Sequence, residues 1–127
     1  LQQDRAEVTV FVEREDQAAL RAEILRQFPQ VSVNTWGGPA SVLEIVHHGI
    51  QKATGLERLA NHYQIDQADI IAFGDESNDL DMLAYAGTGV AMQNAIAPVK
   101  AIADDITPLT NAQDGVANYL RQYFRMD

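Results

Sequence analysis

IIAFGDESNDLD, residues Ile70–Asp81, is the stretch from which the fold is read. Its first four residues, Ile70, Ile71, Ala72 and Phe73, form an apolar run of the length of a buried strand. Gly74 ends the run. Asp75, Glu76, Asn78 and Asp79 follow at once, and Leu80, Leu83 and Ala84 then recur at helical spacing. Strand, glycine, acids, helix is the order that sets carboxylates at the carboxyl edge of a parallel sheet, where α/β proteins bind ligands. Crowded carboxylates raise one another's cost unless a cation is shared between them. The turn is therefore expected to hold a divalent metal through oxygen ligands, of the kind Mg²⁺ prefers. Helix capping by Asp75, Ser77 or Asn78 is the plainer use. A cap needs one such residue, whereas this turn carries five polar side chains in a row, from Asp75 to Asp79.

The totals narrow the class. The chain has 127 residues, enough for one domain or parts of two, and 46% of them are apolar, so a core can form. With 9 Lys and Arg against 18 Asp and Glu, the net charge is −9. An acidic balance argues against nucleic acid as partner, which calls for a basic surface. No apolar run approaches the ~20 residues of a membrane span. There is no cysteine, hence no disulfide framework and no thiolate metal site. The opening LQQDRAEVTV lacks a signal-peptide layout. A cytoplasmic protein is expected. The first residue is not Met and the chain runs almost directly into a strand pattern, so a piece of a longer chain is also expected.

Outward from the central stretch, two styles of pattern appear. Before it, Val8, Val10 and Val12 alternate as a strand, and Leu20, Ile24 and Phe28 mark a helix from about Asp16 to Phe28, closed by Pro29. Val31, Val33 and Thr35 form a second strand, Gly37-Gly38-Pro39 a turn, and Ser41–His47 a third strand. That order is α+β. After His48-Gly49, helices and strands alternate. Leu56, Leu59, Ala60 and Tyr63 mark a helix, then come Ile70–Phe73, the acidic turn and a helix to about Ala86. A strand at Thr88–Met92, a short helix with Pro98 in its first turn, and a brief strand at Asp105–Thr107 follow. Asp114 is placed to cap a last helix with Val116, Leu120, Tyr123 and Phe124 on its apolar face. Alternation of this kind implies right-handed crossovers and a parallel sheet. A boundary near His48 divides an α+β unit from a doubly wound one.

Lys52 is the other candidate for chemistry. It stands at the start of a helix, the end that carries partial positive charge. A lysine there is useful if an anion is to be held between the ammonium and the helix N–H groups. The same position also suits a solvated surface lysine. His47 and His48 are adjacent on a strand and point to opposite faces, so they are not expected to chelate together. Trp36 and the tyrosines are expected to pack, and Met82 and Met92 to fill the core.

Four segments in order carry a resemblance: GIQKATGLERL (Gly49–Leu59), GDESNDLDML (Gly74–Leu83), GTGVAMQNA (Gly87–Ala95) and QDGVANYL (Gln113–Leu120). Together they resemble the haloacid dehalogenase-like phosphatases, and within them the Cof-type branch with an α+β (type IIB) cap. The likeness is strong over residues 48–124 and looser before that. It implies a Rossmann-like three-layer αβα core, of which residues 48–127 are the C-terminal part. Residues 1–47 are then the end of the cap. It implies Mg²⁺ as cofactor and small phosphorylated metabolites, such as sugar phosphates or phosphorylated cofactors, as substrates. By the same resemblance Asp75 ligates Mg²⁺ and Asp79 supports the metal and its waters. Asn78 contacts the substrate phosphate, and Lys52 neutralises the phosphate and the nucleophile carboxylate.

The sequence departs from the family in one respect that matters. The nucleophile of these phosphatases is an aspartate in a DxD-type motif directly after the first core strand. Asp4, Asp16 and Asp66 do not stand in that setting. Aspartyl-phosphate chemistry needs the aspartate, so these residues alone are expected to be inactive and to self-associate through exposed sheet edge. A non-catalytic phosphate- or metal-binding module is the competing reading. An upstream DxD-type motif in the encoded protein separates the two. A receiver-like domain fits less well, since its acids precede its lysine and here Lys52 precedes Asp75.

Overall fold

The computed structural model describes residues 7–36 and 39–126. The chain divides into two compact units, one ending at Ile50 and the other beginning at Gln51.

The first unit is a three-stranded antiparallel sheet with one helix. Its strands are β1 (Glu7–Phe11), β2 (Val31–Thr35) and β3 (Val42–His47), and its helix is α1 (Gln17–Gln27). β3 lies in the middle, in the order β1-β3-β2, with Thr9 and Asn34 both opposite Glu44. The alternation read at Val8–Val12, Val31–Thr35 and Ser41–His47 thus becomes a sheet whose central strand buries Val42, Leu43 and Val46. Arg21 of α1 donates to the Val33 carbonyl at 3.1 Å and ties helix to sheet. Pro39 lies in a turn, while the Gly37 and Gly38 of that expected turn fall outside the described residues. Trp36 is not a packing residue in this unit, being about half exposed, and Phe11 on edge strand β1 is 83% exposed.

The second unit is α/β. In order it contains α2 (Lys52–Tyr63), β4 (Ile71–Gly74), α3 (Leu80–Tyr85), β5 (Thr88–Ala91), α4 (Ala97–Ile102), β6 (Asp105–Ile106) and α5 (Gly115–Tyr123). The strands run parallel in the order β4-β5-β6, with Ile71 opposite Thr88 and Val90 opposite Asp105. Neighbouring strand residues face opposite sides of a sheet, and here the two sides meet different helices. On one side Ala72 joins Leu83, Ala91, Met92 and Val99 in the core, covered by α3 and α4. On the other, the Phe73 ring meets Tyr119 of α5 edge to face, 5.4 Å between centroids. Helices on both faces of a parallel sheet are the layered α/β arrangement the sequence implied.

Several expectations shift. The strand begins at Ile71 rather than Ile70 and takes in Gly74, which pairs with Ala91. A 3₁₀ turn at Ser77–Asp79 precedes the helix. Asp114 occupies the position before α5 in a left-handed conformation, φ 57°, but its side chain makes no capping bond. Tyr123 at the end of α5, Phe124 just past it and Tyr63 on α2 lie outside the core, all more than half exposed. Tyr119 is the α5 aromatic that packs. It also donates to Asp105 Oδ2 at 2.9 Å, and burial together with that carboxylate raises its pKa.

Gly55 sits inside α2, and a Cβ added there meets nothing within 4 Å. Glycine inside a helix costs backbone entropy that alanine does not. Gly55→Ala is expected to stabilise the fold by about 0.5–1 kcal/mol in urea unfolding; a destabilised variant would mean that this helix surface is covered.

Candidate active site at the carboxyl edge of the parallel sheet

Three loops meet where the strands of the second unit end. The first, after β4, carries Asp75 to Asp79. The second, after β5, is joined to the first by two backbone bonds, Met92 N–H to the Gly74 carbonyl at 2.9 Å and Ile96 N–H to the Asp75 carbonyl at 3.0 Å. The third, after β6, is anchored by Thr107, which is 1% exposed. Thr107 Oγ1 accepts from Gln93 N–H at 2.9 Å and donates to the Leu109 carbonyl at 2.7 Å. Asn94 Oδ1 accepts from Asn111 N–H at 2.9 Å, so the second and third loops hold each other.

A cleft of about 640 Å³ opens between them, lined by Lys52, Asp75, Asp79, Asn111 and Asp114 on its polar side. Phe73, Met92, Val116 and Leu120 give its apolar side.

Asp79 is the centre of the polar side. It is 4% exposed. Its Oδ1 accepts from Lys52 Nζ at 2.5 Å, and its Oδ2 accepts from the N–H groups of Asp75 at 2.9 Å and Glu76 at 3.1 Å. Burial pushes the Asp79 carboxyl up, but the bonds from Lys52 and from the two N–H groups, with the lysine's charge, outweigh burial and hold it below the usual value. Gly74 makes this geometry feasible. A Cβ at Gly74 would stand 2.5 Å from Asp79 Cβ and 2.7 Å from Leu83 Cδ1. The carboxylate can fold back over the strand end only because the strand ends in a residue with no side chain.

Lys52 is not a solvated surface lysine. It reaches 27 residues along the chain to a buried acid, and its side chain remains 48% exposed on the cleft. Asp75 lines the same cleft, and among the described residues none donates a hydrogen bond to its carboxylate. Asn78 is half-buried in the 3₁₀ turn and does not line the cleft. Among the described residues no three His, Cys, Asp or Glu side chains gather as a metal cluster. The crowding inferred from the sequence is relieved differently for Asp79: a lysine and two backbone N–H groups compensate its charge. Asp75 is the carboxylate of this turn that could hold a cation. Mg²⁺ keeps several waters and takes one or two carboxylates plus substrate phosphate oxygens, and Asp75, with Asp114 as a second carboxylate on the cleft wall, suits that donor set.

Sequence reasoning missed Asn111, Asp114 and Gly115 as cleft residues. The signal for Asp114 and Gly115 was the QDGVANYL segment, whereas Asn111 lies just before it and had none. A Cβ on Gly115 would stand 2.3 Å from the Leu109 carbonyl oxygen, so the glycine lets α5 start flush against the third loop.

The model of the haloacid dehalogenase-like hydrolase family matches residues 1–120. The chain belongs to that family. Over 127 residues this chain is 42% identical to the 5-amino-6-(5-phospho-D-ribitylamino)uracil phosphatase of Bacillus subtilis, covering 99% of this chain and 47% of that protein. Among solved structures it is similar to a haloacid dehalogenase-like hydrolase from Bacteroides thetaiotaomicron. The identity is 38% and the TM-score 0.82, over 94% of this chain and 44% of that one. It is also similar to a subclass IIB sugar phosphatase of the superfamily, at 29% identity and TM-score 0.78, over 96% of this chain and 44% of that one. The chain spans about half the length, or a little less, of the curated relatives it matches. No described helix is long and apolar enough to cross a membrane.

Proposed function

We propose that the chain contributes half of the active site of a Mg²⁺-dependent phosphomonoesterase acting on small phosphorylated metabolites, such as sugar phosphates or phosphorylated cofactors. The observation that carries this reading is the Lys52–Asp79 pair beside the open carboxylate of Asp75, at the carboxyl edge of a parallel sheet. Relatives named as phosphatases support the substrate class. In this reading residues 1–47 are the end of a cap and residues 48–127 the end of the core.

Asp75 holds Mg²⁺, which supplies positive charge to oxygens of the transferring phosphoryl group. Asp79 supports the metal side of the site by fixing the loop that carries Asp75, through the Asp75 and Glu76 N–H groups. It also orients Lys52, whose ammonium offsets charge on the phosphate and on a nucleophilic carboxylate. Asn78, next to Asp79 on the same turn but off the cleft wall, is given to the phosphate by the family resemblance alone. The nucleophile comes from outside these residues, because no aspartate here stands directly after an apolar strand with a second Asp two positions on. Asp79-Leu80-Asp81 has that spacing, but it lies five residues past β4 and Asp79 is held by Lys52 and two backbone N–H groups.

The test uses p-nitrophenyl phosphate and Mg²⁺. The complete encoded protein should turn it over, and Asp75→Asn should need at least about tenfold more Mg²⁺ for the same rate. The 127-residue chain alone should not turn it over. Unchanged Mg²⁺ dependence in the variant would remove Asp75 from the metal, and robust turnover by the chain alone would overturn the divided site. The chain alone should also self-associate, because among the described residues β4 has a strand partner on one side only. Sedimentation as a well-dispersed monomer would contradict that.

A further inference from the structure

Asp81 Oδ2 accepts the backbone N–H of Ala53 at 3.1 Å. Asp81 stands in the first turn of α3, and Ala53 is the second residue of α2. N–H groups in the first turn of a helix have no carbonyl partner within it. Gln51 at the N-cap of α2 makes no side-chain capping bond, and the first turn of α2 holds no acid. A carboxylate from the neighbouring helix takes that place, and its charge faces the positive end of the α2 dipole. α2 and α3 pack against each other, so the contact joins two elements already in register.

This bears on Lys52, the first residue of α2. A cation at a helix N-terminus is disfavoured by the dipole, and a first-turn N–H such as that of Ala53 has no acceptor within its own helix. Two acids from one short segment oppose both effects. Asp79 takes the Lys52 ammonium, and Asp81 takes the backbone one residue further on. We propose that Asp81 is a positioning residue: held from α3, it fixes the first turn of α2 and so keeps the Lys52 ammonium on Asp79 at the cleft. Its catalytic meaning rests on the phosphatase reading, whereas its structural meaning does not.

The experiment is NMR on the complete encoded protein, with an activity arm. In the wild type, the Ala53 amide should exchange slowly although it lies in a first helical turn. Exchange at the rate of an unstructured amide would overturn the proposal without any variant. Asp81→Ala should cut Ala53 protection by about tenfold, the worth of a bond to a charged acceptor. It should also weaken the nuclear Overhauser contact between Lys52 Hε and Asp79 Hβ, while amide shifts in β4, β5 and β6 stay put. Asp81→Asn keeps an oxygen acceptor and should restore both signals. A Lys52–Asp79 contact that survives Asp81→Ala unchanged would overturn the proposal. In the p-nitrophenyl phosphate assay, Asp81→Ala should lower kcat about 10- to 100-fold with a smaller change in KM, and Asp81→Asn should recover most of the loss. A merely structural role would not divide kcat from KM in this way. A wild type without phosphatase activity would count against the proposed function alone, and the NMR results would still decide the role of Asp81.

Discussion

Asp79→Ala is expected to lower stability by about 2–3 kcal/mol, the cost of stranding buried donors that a charged acceptor had satisfied. The N–H groups of Asp75 and Glu76 lose their acceptor, and Lys52 loses its partner. Lys52, about half exposed, can turn to water, so most of the cost falls on the two N–H groups. Asp79→Asn should cost less, because its one oxygen can serve the loop. Its amide NH₂ then faces the Lys52 ammonium, and the lysine swings away. The pH dependence has a definite sign. Asp79 titrates below its unfolded value, so its contribution is fully present above the unfolded carboxylate range. It is lost as pH falls through the lowered native value. The stability gap between wild type and Asp79→Asn should be flat from neutrality to about pH 5 and narrow below about pH 4. Urea unfolding across that range measures it. A gap that widened on acidification would show that the carboxylate is not charged in the native state.

Gly74→Ala should do comparable damage by another route. The new Cβ would stand 2.5 Å from Asp79 Cβ and 2.7 Å from Leu83 Cδ1, and Leu83 is 2% exposed. Overpacking of this kind costs about 1–3 kcal/mol. Leu83, on the buried face of α3, has no room to retreat, so Asp79 is the group that moves. The Lys52–Asp79 bond should break although neither partner has changed. The two predictions test each other, because both act through the position of Asp79. The double variant Gly74→Ala/Asp79→Ala should cost clearly less than the sum of the singles. Additive losses would mean that the cost of Gly74→Ala is the contact of the new Cβ with Leu83 and with the Cβ of residue 79, and not the loss of the Asp79 carboxylate bonds.

The apolar run before Asp75, the glycine and the acids were enough to set a strand, a tight turn and a ligand-binding edge. The strand-helix alternation after His48 was enough for a parallel sheet, since short-period and long-period patterns do not interchange. Surface and core were harder to separate. Trp36, Tyr63, Tyr123 and Phe124 are large and apolar, yet they stand exposed, because side-chain type records what a residue can bury and not what lies above it. Asp114 shows the same limit: its position before α5 was plain, but a left-handed backbone turns its side chain from capping to the cleft wall.

By itself the sequence determined the family, through four motifs in order, and with it the residue types at the site. It also showed that carboxylates gather where a sheet ends. Only the tertiary structure decided what compensates them. Asp79 is neutralised by Lys52, 27 residues away, and by two N–H groups of its own turn, and Asp81 serves a helix that begins 29 positions earlier. Such pairings depend on how α2 and α3 meet and on the missing side chain of Gly74, distances that no spacing along the chain encodes.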